Sequence, residues 1–318
     1  MYVNLSIAGG AHLCMSFLGF LRCARPPLAN VVNVSAASAG ALIATVFVLD
    51  IPDDTVIRIV NRHMKNGMLE DPDLAMLLDE FGVVDSRDSV GALAADLVQA
   101  GIDRWKTIKK GWWDEEKTSA RTFTMLDLSK MTGKNVAIMV ADASRGFCQK
   151  FITADNYPDL PLVTALCASC AIPIVLTPVQ FPGDDVGLYV DGCASPKNAP
   201  FEYFDQLGPC VEGVVDTLCV EVNVFSDGKD SYNPEAVRPT SLIEYGKALV
   251  GLLGARISTT TVHPRCRVHT VPRWTEDRVS PMVFGMSPAD VADAYRCGMR
   301  SGRDFIESLA KDTSDAAP

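Results

Sequence analysis

Between Pro26 and Leu49 the chain carries no charged residue, and this stretch narrows what it can fold into more than any other. About twenty consecutive apolar residues suffice to cross a bilayer, so a membrane span is the first reading to test. The interior argues against it. Asn30, Asn33, Ser35 and Ser38 fall inside the stretch, and the valine-rich run Val31–Val34 gives way to an Ala-rich segment that favours helix. A buried strand feeding a buried helix explains the pattern better, and no transmembrane segment is expected.

The same alternation recurs along the chain. Strand-like apolar runs lie at Tyr2–Ala8, Val31–Val34, Val136–Val140, Leu188–Val190, Thr217–Val224 and Arg267–Val271. Helical patterns separate them at Cys14–Cys23, Ala39–Leu49, Asp54–Asn66, Asp73–Phe81, Ser89–Ala100, Leu160–Ala171, Leu242–Leu253 and Pro288–Ala310. The order predicts an α/β fold, a largely parallel central sheet covered by helices on both faces. The 318 residues, 48% of them hydrophobic, allow one large core or two modest ones. No repeat, low-complexity tract or linker divides the chain, so a single domain over 1–318 is expected. Positions 54–121 look helical and polar without a convincing strand, which predicts a helical cap or insertion.

A net charge of -10 argues against a nucleic-acid partner, since phosphate binding needs a basic face. Met1–Asn4 carries no basic n-region, so no secretory signal is read; the expected location is cytoplasmic, with peripheral membrane contact as its variant. The ten cysteines are scattered. Cys167 and Cys170 form one C-x-x-C without the second ligand pair that zinc needs, and no calcium loop of the D-x-D-x-D-G kind occurs. Neither a metal nor a cofactor is implied.

Three segments carry candidate chemistry. Ser35-Ala36-Ala37-Ser38-Ala39-Gly40-Ala41 joins a predicted strand to a predicted helix, the setting of a nucleophile elbow. There the turn is so sharp that residues two positions either side of the serine must be small, as Ala36 and Gly40 are. Gly9-Gly10-Ala11 follows the first strand and bares backbone N–H groups that can cradle phosphate or an oxyanion. A dinucleotide site would need a third glycine and an acid after the second strand, and both are missing, so oxyanion binding is preferred. Leu188-Tyr189-Val190-Asp191-Gly192-Cys193 ends a strand with an acid–glycine turn, expected at the carboxyl edge of the sheet.

These segments, in this order, resemble the patatin-like phospholipase family over nearly the whole chain. The resemblance rests on Ile7–Cys14 with Phe17–Leu21, on Ala36–Leu42, and on Phe123–Phe151 with Val140-Ala141-Asp142. It continues through Leu162–Pro178 with Ala168-Ser169-Cys170-Ala171-Ile172-Pro173, and through Tyr189–Cys193 with Asn198-Ala199-Pro200. It implies Ser38 as nucleophile, Asp191 as its base and the N–H groups around Gly9, Gly10 and Ala11 as oxyanion hole, with no histidine, metal or cofactor. It also implies a glycerolipid acyl ester as substrate, met at a membrane or lipid-droplet surface. Leu13 stands where many phospholipase members carry Lys or Arg, which resembles the adipose triglyceride lipase branch. Ala11 and Ala36 replace glycines, harmless where φ stays negative and strained where it does not.

Three of the four tryptophans, Trp105, Trp112 and Trp113, lie among four cations in Arg104–Trp113, the composition of a helix at a lipid interface. Inward packing of a cap helix is the competing expectation. Two other functions stay open: a catalytically silent lipid-binding scaffold, and a Ser-His-Asp α/β-hydrolase esterase using His263 or His269.

Overall fold

The computed structural model describes residues 1–64, 76, 80–109, 119–196, 199–209, 211, 213–222, 263–272 and 286–315. In chain order its strands are β1 (Asn4–Ile7), β2 (Asn33–Ala37), β3 (Gly82–Val84), β4 (Asn135–Asp142), β5 (Cys148–Ile152), β6 (Ile174–Leu176), β7 (Tyr189–Asp191), β8 (Thr217–Val222) and β9 (Cys266–Val271). The α-helices are α1 (Cys14–Cys23), α2 (Ala39–Val48), α3 (Asp53–Met64), α4 (Val90–Ile108), α5 (Met125–Thr132), α6 (Leu162–Cys170), α7 (Tyr203–Leu207) and α8 (Pro288–Asp315).

Among the described residues seven strands share one sheet in the order β5-β4-β2-β1-β8-β9, with β7 pairing to β4 off that path. The pairs β4–β2, β2–β1, β1–β8 and β8–β9 are parallel, whereas β5 and β7 run against β4. Period-two alternation divides the side chains between two faces. Leu5, Ile7, Val34, Ala36, Val136, Ile138 and Val140 join the main core with residues of α1, α2, α4, α6 and α8. Ala37, Ala137 and Met139 point the other way, where Phe151 and the α7 residues Tyr203 and Phe204 cover them. The α/β sheet with helical layers is therefore the fold that the alternating pattern predicts.

Several elements depart from expectation. The stretch expected to lack strands contains β3, which pairs in parallel with β6. Helix α4 runs on to Ile108 and packs against α2 and α6, inside the helical layer. The proposed helix at Leu242–Leu253 and most of that at Asp73–Phe81 lie outside the described residues. No described helix is long and apolar enough to cross a membrane.

Candidate active site

Sheet register brings two distant segments together. β2 lies along one edge of β4 from Asn33↔Asn135 to Ala37↔Met139, and β5 takes the other edge from Ile138↔Ile152 to Asp142↔Cys148. β7 pairs with the end of β4, Val140↔Asp191 to Asp142↔Tyr189, so it must continue the edge that β2 vacates. β2 runs up to Ala37 and β7 runs down to Asp191, and the chain ends meet beside Val140. There Ser38 Oγ donates to Asp191 Oδ2 at 2.6 Å. The carboxylate stands at the carboxyl edge of the parallel strands, carried there by a strand that runs antiparallel to β4.

Ser38 sits at φ 54, ψ -137, between β2 and α2. A non-glycine residue held there stores strain of about 1–3 kcal/mol that its surroundings must offset. Its N–H donates to Ser169 Oγ at 2.9 Å, and its carbonyl accepts from Ala41 N–H at 2.8 Å. At Gly40 a Cβ would lie 2.3 Å from the Ala8 carbonyl oxygen, so only glycine admits the close crossing of β1 and the elbow. Ala36 lies within β2 and needs no positive φ. Helix α2 begins directly after Ser38, and its N-terminal dipole favours negative charge there.

Asp191 is 4% exposed and also accepts from Cys193 N–H at 2.8 Å. Burial pushes its carboxyl up to about 6, against the opposing pull of the Ser38 hydroxyl and the Cys193 amide. The thiol of Cys193 is driven well above its usual range by burial and by Asp191, and so stays neutral. A Cβ on Gly9 would lie 2.3 Å from Cys193 Sγ and 3.2 Å from Ser38 Cβ. The glycine loop thus runs directly against the dyad.

That loop begins where the β1 ladder stops. Ala8 N–H still bonds to Val220 O at 2.9 Å, and Ala11–Leu13 then form one short 3-10 turn. Ala11 stands at φ 45, the left-handed region, where its methyl costs about 1–2 kcal/mol relative to glycine. The replacement feared as strained is therefore the one at Ala11. Chemically, the arrangement offers a buried hydroxyl bonded to a desolvated carboxylate, with unladdered backbone alongside. That suits nucleophilic attack on a carbonyl.

The other predicted residues fall elsewhere. Trp105 packs against the core and its Nε1 donates to Leu49 O at 2.9 Å, the inward arrangement; Trp112 and Trp113 lie outside the described residues. His263 Nε2 lies 3.2 Å from Asp205, and His269 Nε2 lies 2.8 Å from Ser301 Oγ. Neither histidine is among the hydrogen-bond partners of Ser38 or Asp191. Among the described residues, no three His, Cys, Asp or Glu side chains gather as metal ligands would. Ser169 was missed, because in the sequence it is one small residue in a helix of small residues.

A family model described as patatin-like phospholipase matches residues 5–205. No curated protein matches the chain. Among solved structures, VipD from Legionella pneumophila is similar with a TM-score of 0.55 at 15% identity, covering 96% of this chain and 67% of VipD. ExoU of Pseudomonas aeruginosa, solved with SpcU, gives a TM-score of 0.46 at 15% identity over 97% of this chain and 52% of that one. The chain spans about half the length of that ExoU chain, and at 15% identity the likeness to VipD is one of fold.

Proposed function

The chain belongs to the patatin-like phospholipase family, and from that premise we propose that it cleaves glycerolipid acyl esters through a Ser38–Asp191 dyad. The observation that carries this reading is the 2.6 Å contact between Ser38 Oγ and Asp191 Oδ2 at the head of a strained elbow.

Asp191 takes the hydroxyl proton as Ser38 Oγ attacks the ester carbonyl. An ordinary carboxylate is too weak a base for this; desolvation raises Asp191 towards the working pH and shortens the gap. Negative charge then develops on the former carbonyl oxygen, and the amides around Gly9, Gly10 and Ala11 are the donors we assign to it. One such donor is worth about 2.7–4 kcal/mol. Collapse of the intermediate expels the alcohol, which takes the proton from Asp191 and leaves an acyl-Ser38 ester. Water, deprotonated by Asp191, hydrolyses that ester and restores the dyad.

The substrate is met at a membrane or lipid-droplet surface in this reading. Fatty-acid release from phosphatidylcholine vesicles and from a triacylglycerol emulsion tests it, comparing the parent chain with Ser38→Ala and Asp191→Asn. Both variants are expected to lose release while retaining the parent's far-UV circular dichroism. Release that survives Ser38→Ala rules the mechanism out. A parent chain that binds vesicles and does not react with a fluorophosphonate probe favours the silent lipid-binding scaffold.

A further inference from the structure

Both members of the dyad are fastened to the end of α6, and we propose that Ser169 is the positioning residue that holds Ser38 in its reactive conformation. The inference rests on Ser38 being the nucleophile.

Ser169 is fully buried. A serine inside a helix ordinarily bonds back to the carbonyl four residues earlier. This one reaches out of its helix: its Oγ–H donates to Met139 O of β4 at 2.7 Å, and its lone pair accepts Ser38 N–H at 2.9 Å. Two residues on, Ala171 O accepts Asp191 N–H at 2.9 Å. One turn of chain therefore sets the backbone position of nucleophile and base together.

The Met139 carbonyl is the fixed point of the arrangement. Met139 pairs with Ala37, the residue before Ser38, and a Cβ on Gly192, the residue after Asp191, would lie 2.4 Å from its oxygen. Among the described residues the Ser169 hydroxyl is the side-chain link in this relay from β4 to the elbow, and it must donate and accept at once. Without it, Ser38 N–H is left buried and unpaired, and the chain at φ 54 is free to relax towards negative φ. That rotation carries Oγ away from Asp191.

Three substitutions separate the hydroxyl from the space it fills. Ser169→Ala removes the oxygen, Ser169→Thr keeps it in a larger side chain, and Ser169→Val matches threonine in shape without it. Steady-state hydrolysis of a soluble short-chain aryl ester, the rate of Ser38 labelling by a fluorophosphonate, and the melting temperature are measured for each. Alanine and valine variants are expected to lose about 10- to 100-fold in kcat, the scale of an ångström-level misplacement of a reacting group. Their KM stays unchanged, labelling slows in parallel, and threonine recovers most of the rate. An alanine variant with parental kcat overturns the proposal, as does equal impairment of threonine and valine, which would mean that packing alone matters. If the parent chain neither turns over the ester nor labels at Ser38, the functional reading fails and takes this inference with it.

Discussion

Asp191 serves two opposed demands, because a buried carboxylate destabilises the fold while a basic one is needed for proton transfer. Its carboxyl lies near 6 against an ordinary 3.8, displaced chiefly by burial. Only the ionised form accepts the Ser38 proton, so kcat/KM on a soluble ester should rise about tenfold per pH unit below 6 and level off above it. A profile flat from pH 5 to 8 would exclude Asp191 as the base. The same displacement has a thermodynamic sign. The native state holds this proton more tightly than the unfolded chain, a contribution fully present below about pH 4 and lost as pH rises through about 6. The difference between 3.8 and about 6 is worth roughly 3 kcal/mol at 1.36 kcal/mol per unit. Asp191→Asn, which cannot ionise, should therefore gain stability over the parent between pH 4 and 7, read as a growing difference in urea midpoints. At this scale the sequence was informative where a residue sat in a local motif: Ser38 between small neighbours, Asp191 before a glycine. Ser169 has no such context, because its partners are 131 and 30 positions away.

Elements were legible in proportion to how much of their signal is local. The apolar strands β1, β2, β4, β8 and β9 declared themselves, whereas β3 and β6 span only three residues each and β5 mixes Gln149 and Lys150 into its run. The direction of β7 depends on pairing with β4 and leaves no local trace. Helix α5 is different, since the signals that bound it are local. Thr124 Oγ1 accepts from Asp127 N–H at 3.1 Å while Asp127 Oδ2 accepts from Thr124 N–H at 3.0 Å, a reciprocal cap, and Gly133 closes the helix at φ 68. Eight residues with three buried side chains form a weak helix without such ends. Thr124→Ala should accordingly cost about 1 kcal/mol, within 0.5–2, with the denaturant slope unchanged. The effect reaches further than α5, because Phe123 O next to the cap accepts Leu162 N–H at the start of α6. A loss below the error of chemical denaturation would show that tertiary packing alone holds α5.

At the scale of the molecule, the family match ends at residue 205 while the sheet continues. β8 lies beside β1, β9 follows it, and α8 packs on α1, the helix that leads out of the glycine loop. The α1–α8 contact is nearly backbone to backbone. A Cβ on Gly19 would lie 2.1 Å from Tyr295 O, and one on Gly298 would lie 1.9 Å from Ser16 O. Around this seam His269 stacks on Phe20 at 4.5 Å, and Phe305 closes against both rings. A methyl at Gly298 has backbone in its way, which no rotamer change can relieve, so the helices must separate. Gly298→Ala should destabilise by about 1–3 kcal/mol or more, the range of overpacking in a tight core. Gly208→Ala makes the comparison fair, since a Cβ there meets nothing within 4 Å and should change stability by no more than about 0.5 kcal/mol. Thermal melts of the two variants beside the parent decide the matter. If Gly298→Ala melts with the parent, the close approach of α8 to α1 does not contribute to stability and the packing argument fails.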